Sequence, residues 1–104
     1  MIRISVMYPV AAGNKFDMDY YLQKHMPMVQ ARLSAKGMVR AEVDKGLAGA
    51  TPGSPAPFPV VGHLYFNSVN EFQAAFGAHA GEIMGDIPNY TNISPTIQVS
   101  SVRI

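Results

Sequence analysis

The sequence predicts an α+β fold of the ferredoxin-like kind, a four-stranded antiparallel sheet with two helices on one face. Three observations lead there. Hydrophobic periodicity orders the elements β-α-β-β-α-β. The 104 residues are enough for one domain spanning 1–104 and leave little room for a second lobe. With 48% hydrophobic and only 14% charged residues, the chain is too apolar for disorder, and its scarcity of solubilising charge predicts a surface covered by a partner.

Ile2, Ile4, Val6 and Tyr8 alternate with Arg3, Ser5 and Met7, the period of two of a first strand, which Pro9 and Gly13-Asn14 end. Asp17 suits an N-cap, and Phe16 before it is placed to staple onto Tyr21. On a wheel turning about 100° per residue, Met18, Leu22, Met26, Val29 and Leu33 share one sector, predicting a buried stripe on a helix that runs to Ser34. Pro27 lies inside this helix, where it lacks an amide donor and presses on the carbonyl of Gln23. The expectation is a kink from Gln23 to Pro27, or a break with Pro27 opening a new helix.

Met38 to Leu47 reads as the second strand and Val60 to Phe66 as the third, joined by a Pro- and Gly-rich loop over 49–59 long enough to act as a lid or interface arm. Ser68 and Glu71 form a capping box, and Val69, Phe72, Phe76, Ala80 and Ile83 the buried stripe of a helix that Gly81, Gly85 and Pro88 are expected to end. Thr96 to Ile104 is the last strand. Both helices then cover one sheet face, and the other, a mixture of apolar, aromatic and hydroxyl side chains, is expected to bury itself in a homodimer.

Several function classes lose support at once. A net charge of +1 without a Lys or Arg run gives no footprint for a phosphate backbone, so nucleic acid is not expected as a partner. No apolar run approaches the ~20 residues that cross a bilayer, so no membrane is expected either. The absence of cysteine removes disulfides and thiolate metal sites and suits a reducing cytoplasm. Three scattered histidines without an acidic partner at ligand spacing predict no metal, and no phosphate loop, nucleophile elbow or dinucleotide fingerprint is present.

His25 is the strongest candidate for chemistry. It stands about 60° off the centre of the first helix's stripe, on a ridge with Tyr21, Met28 and Arg32 at spacings of three and four. Such a ridge is placed to line a cavity between helix and sheet, with imidazole, phenol and guanidinium turned to one ligand. The plainer alternative is that His25 only satisfies a carbonyl freed by Pro27. His79 reads as structural, while His63, beside Tyr65 in a strand, suits either the dimer interface or a pocket. Asp86 and Tyr90 are placed either to close one end of the pocket or merely to form a helix stop and turn. The methionines at 18, 26 and 28 suit an adaptable pocket or plain core.

Phe16-Asp17, Tyr20-Tyr21, His25 and Pro27, followed by Asp86-Ile-Pro-Asn-Tyr90-Thr91, resemble the two signature segments of the EthD family, named for ethyl tert-butyl ether degradation. The resemblance spans essentially the whole chain. It implies a dimeric α/β barrel, two ferredoxin-like sheets packed face to face, and a part in the breakdown of small organic molecules. It singles out His25, with Tyr21 as its neighbour. Fold relatives include cofactor-free polyketide monooxygenases, muconolactone isomerases and haem-handling proteins, analogies that fix no reaction.

The reading that follows is a cofactor-free isomerase, lyase or monooxygenase-like enzyme. His25 exchanges a proton with an apolar carbonyl, lactone or phenolic compound whose oxygen Tyr21 or Tyr90 orients, and Arg32, Met28, His63 and Asp86 are candidate contacts. A binding or accessory protein without chemistry is the alternative. Haem ligation by His25 or His63 is a weaker one.

Overall fold

A computed structural model describes all residues, 1–104. Its elements follow the expected order: β1 (Ile2–Tyr8), a helix in three segments, β2 (Arg40–Lys45), β3 (Val60–Phe66), a long helix α3 (Val69–Asp86) with a 3-10 turn Ile87–Asn89 behind it, and β4 (Thr96–Ser101). The sheet runs β2-β3-β1-β4 with every neighbour antiparallel, the ferredoxin-like arrangement of an α+β domain. Alternation decides its faces. Ile2, Ile4 and Tyr8 of β1 and Val60, Leu64 and Phe66 of β3 are buried with Leu33, Ala75 and Ile83 of the helices.

The first helix departs from expectation in an instructive way. Asp17 caps it, its carboxylate accepting from the Tyr20 amide at 3.0 Å, and Phe16 meets Tyr21 edge-on at 5.0 Å between ring centroids, as the staple requires. It then runs as α1 (Met18–Tyr20), a π-helical turn (Tyr21–His25) and α2 (Met26–Ser34), with helical backbone angles at both junctions. There is neither a break nor a restart at Pro27. The Met26 amide reaches back five residues to the Tyr21 carbonyl, and Pro27 follows directly as the second residue of α2.

The wider turn changes which side chains face inward. One extra residue rotates everything before it by about 100° relative to an unbroken α-helix. Met26, Val29 and Leu33 lie in the core as the wheel placed them, but Leu22 is 47% exposed, and Tyr21 and His25 take the buried positions instead. The proline is thus absorbed by the irregularity that turns His25 into the interior.

Other boundaries also differ, β2 ending at Lys45 and not Leu47. β2 starts only at Arg40 because the Met38 amide closes the end of α2 on the Leu33 carbonyl and its side chain turns into the core. β4 stops at Ser101 because β1 supplies no partner beyond Met1, whose carbonyl takes the Val102 amide. Gly81 and Gly85 do not end α3. They sit on its exposed side, each tolerable at about 1 kcal/mol relative to alanine, and the helix continues to Asp86.

Candidate functional site

The site is assembled where two distant segments are tied together. The Asp17 amide donates to the Tyr90 carbonyl at 2.7 Å, the Thr91 hydroxyl to the Lys15 carbonyl at 2.5 Å, and the Lys15 amide to the Asn92 side chain at 2.8 Å. This lashing holds the end of α3 and the turn after it against the start of the first helix. Asp86 and Tyr90 are thereby brought to His25.

His25 is 4% exposed, and each ring nitrogen has a partner. Nδ1 lies 2.8 Å from an Asp86 carboxylate oxygen, and Nε2 lies 3.4 Å from the Tyr90 hydroxyl, which in turn is 2.6 Å from the Tyr8 hydroxyl. The other Asp86 oxygen accepts from the Tyr20 hydroxyl at 2.7 Å and from Asn89 at 2.9 Å. Partial burial raises the Asp86 carboxyl, but the hydrogen bonds from Tyr20, Asn89 and His25 together outweigh it and hold the group below the usual carboxylate range. An ionised carboxylate only accepts, so Nδ1 carries a proton and Nε2 is left for chemistry.

Rings enclose the imidazole. Tyr21 stacks on it at 5.5 Å, Tyr90 lies tilted against it at 4.6 Å, and the two phenols are 5.1 Å apart. Burial raises the hydroxyls of Tyr21 and Tyr90 well above their ordinary value, with the neighbouring Tyr8 adding to the shift, so both stay neutral. Tyr20 is raised by its hydrogen bond to Asp86.

On one side of this group lies a cavity of about 70 Å³ between the helices and the sheet. Its walls are almost wholly apolar, from Ile4, Val6, Leu64, Phe72, Phe76 and Ile83, interrupted by Tyr8, Tyr21 and His25. Met84 and Ile97, 40% and 44% exposed, line its outer end between α3 and β4. Gly62 makes the room for Tyr21: a Cβ at that position would stand 2.5 Å from the Tyr21 hydroxyl oxygen. On the other side of Asp86 is an open polar groove lined by Tyr20, Lys24, Met28, Glu82 and Asn89. Asp86 lines this open groove and reaches the apolar cavity only through His25.

The EthD domain profile matches residues 14–94, a span that contains His25, Asp86 and Tyr90. This chain belongs to the EthD family. A solved EthD-like protein from Ralstonia eutropha JMP134 is 44% identical, with a TM-score of 0.93 over 99% of this chain and 92% of that one. An EthD family protein from Bacillus halodurans C-125 is 15% identical with a TM-score of 0.68, covering 99% of both chains, and at that identity shows the fold alone. No curated protein matches.

Within this EthD chain the ridge read from the sequence divides. His25 and Tyr21 line the cavity, and Asp86 and Tyr90 join them through His25. Met28 lines the outer groove instead, and Arg32 is exposed, its guanidinium held 2.9 Å from Glu82 on the surface. His63 is on the opposite sheet face, 2.8 Å from Asp44 and 3.4 Å from the Ser5 hydroxyl. The carbonyl of the Pro27 turn is not what His25 bonds. Three participants escaped the sequence reading as site residues: Tyr8, Tyr20 and Gly62. Tyr8 and Gly62 sit at inward positions of β1 and β3 and register near each other, a signal available from alternation once the pairing is known.

No helix is long and apolar enough to cross a membrane. No group of three or more His, Asp or Glu side chains is disposed to hold a metal ion.

Proposed function

We propose that this EthD protein binds a small apolar carbonyl compound or lactone in the cavity and that His25 exchanges a proton with it. The observation that carries the reading is the buried Nδ1 contact to Asp86 beside an apolar cavity. The carboxylate fixes the tautomer and stabilises a charge arriving on the ring, which is what a general acid–base histidine needs. Tyr21 donates to the ligand oxygen, since burial keeps its phenol protonated and its ring lines the cavity. A cavity near half of the 150 Å³ that admits benzene favours ligands smaller than an aromatic ring, with Met26 and Met84 able to yield for a phenol.

The same reading places the chemistry in the cytoplasm and in a homodimer formed through the open sheet face. That face carries paired charges as well as the expected apolar and hydroxyl groups: Arg40 lies 4.0 Å over the Tyr65 ring, and Tyr65 donates to Glu42 at 2.9 Å. Sedimentation should then give twice the chain mass.

Butanone in D₂O is a suitable probe. The protein should speed deuterium incorporation at its α-carbons, and His25→Ala should lower that rate by about a hundredfold or more while leaving the fold intact. Equal rates for the two proteins would remove the proposal. Butanone that binds without exchanging would support the second reading, a binding protein, which the nearly unbroken apolar wall favours.

A further inference from the structure

Three side chains run in one hydrogen-bonded line from the cavity to the His25–Asp86 pair. Tyr8 lines the cavity and is 1% exposed, its hydroxyl is 2.6 Å from that of Tyr90, and Tyr90 is 3.4 Å from His25 Nε2 without itself lining the cavity. Each phenol has one proton to give, so the direction of the line follows from counting donors. With His25 neutral and Nδ1–H directed to Asp86, Nε2 accepts from Tyr90. Tyr90 then has nothing left to donate, and Tyr8 must donate to it. Tyr8 shows the cavity only its lone pairs.

A second proton on His25 reverses the line. Nε2–H now donates to the Tyr90 oxygen, and Tyr90, 3% exposed, would strand its own proton unless it turned to Tyr8. Tyr8 in turn points its proton into the cavity.

We propose that Tyr8 is the residue that hands a proton to the bound ligand, driven by His25 through Tyr90. This rests on the proton-transfer reading of the cavity and adds the group that touches the ligand. The step balances without any oxidant or reductant. The imidazolium N–H breaks as a Tyr90 O–H forms, the old Tyr90 O–H breaks as a Tyr8 O–H forms, and the old Tyr8 O–H breaks as the ligand's enolate takes the proton. His25 ends neutral, and the two phenols end as they began. Neither phenol need ionise, in keeping with burial raising both. The titratable groups about His25 are Asp86 at the end of α3, Tyr90 after it, Tyr8 on β1 and Tyr21 on its own helix, with Tyr20 across Asp86. Lys24 lies over the Tyr20 ring at 5.4 Å, on the groove side.

The test needs no substrate. The intact protein carrying ¹³Cζ-tyrosine is titrated by NMR, with the Tyr8 signal assigned from Tyr8→Phe and the His25 ring followed by ¹⁵N shifts. The Tyr8 carbon should shift with the same midpoint as the His25 ring, and that shift should vanish in Tyr90→Phe and in His25→Gln. A Tyr8 signal that ignores His25, one that still moves in Tyr90→Phe, or a His25 ring that takes no second proton before the protein unfolds would each overturn the proposal. Because the protein alone is observed, this failure is distinct from a failure of butanone exchange.

Discussion

Two histidine–aspartate pairs stand on opposite sides of the same sheet, each with a 2.8 Å contact. His25 and Asp86, on the helix side, have side chains 5% and 17% exposed. For His63 and Asp44, on the open side, the figures are 16% and 64%. The difference lies in what surrounds the pair. Asp86 accepts from Tyr20 and Asn89 besides His25, and His25 faces an apolar cavity, whereas Asp44 ends in solvent and His63 continues only to Ser5. A short contact therefore identifies neither a stabilising nor a reactive pair. Water exclusion on one side and further donors on the other do.

The comparison is broken most forcefully at the two carboxylates. Asp86→Ala should destabilise the protein by about 2–3 kcal/mol, since it leaves the buried His25 and the Tyr20 hydroxyl without their acceptor, whereas Asp44→Ala should barely move the denaturant midpoint. Urea unfolding of both variants checks this. Gly62→Ala comes next: its new methyl meets the Tyr21 hydroxyl, so stability should fall by about 1–3 kcal/mol and butanone binding should be lost, as thermal melts with and without the ketone will read.

A smaller effect lies in acid. The Asp86 carboxyl is held below its unfolded value of about 3.9, so its contribution to stability is complete above that pH and disappears as pH falls through the lowered folded value. Tyr20→Phe removes the leading hydrogen bond that lowers it, so part of this pH dependence should go, giving a shallower fall of melting temperature below about pH 4. The smallest effect is expected at Arg32→Ala. Its partner Glu82 is on the surface, so neither melting temperature nor butanone exchange should change.

Much of the architecture was legible before the structure. The alternation of β1, the Asp17 cap with its Phe16 staple and the Ser68 cap that accepts from the Glu71 amide each depend on residues a few positions apart, and each is found, though the return bond from the Glu71 carboxylate that would complete a capping box is not. The site was less so. The sequence singles out Asp86 and Tyr90, but nothing in a separation of 61 residues says that Asp86 reaches His25. The wheel is right for Met26, Val29 and Leu33 and wrong at Leu22 for a local reason, because the residues before Pro27 run through a π-turn that puts Tyr21 and His25 in the core in place of Leu22. Arg32 illustrates the opposite error, since equal spacing along a helix does not say where the neighbouring helix ends and solvent begins.

A crystal of the protein soaked in butanone tests the central claim most directly. The ketone should occupy the cavity under the first helix, its oxygen within hydrogen-bonding distance of the Tyr21 hydroxyl and its α-carbon toward His25 and Tyr8. A cavity left empty under saturating butanone, with the ketone seated instead beside His63 on the open sheet, would contradict it.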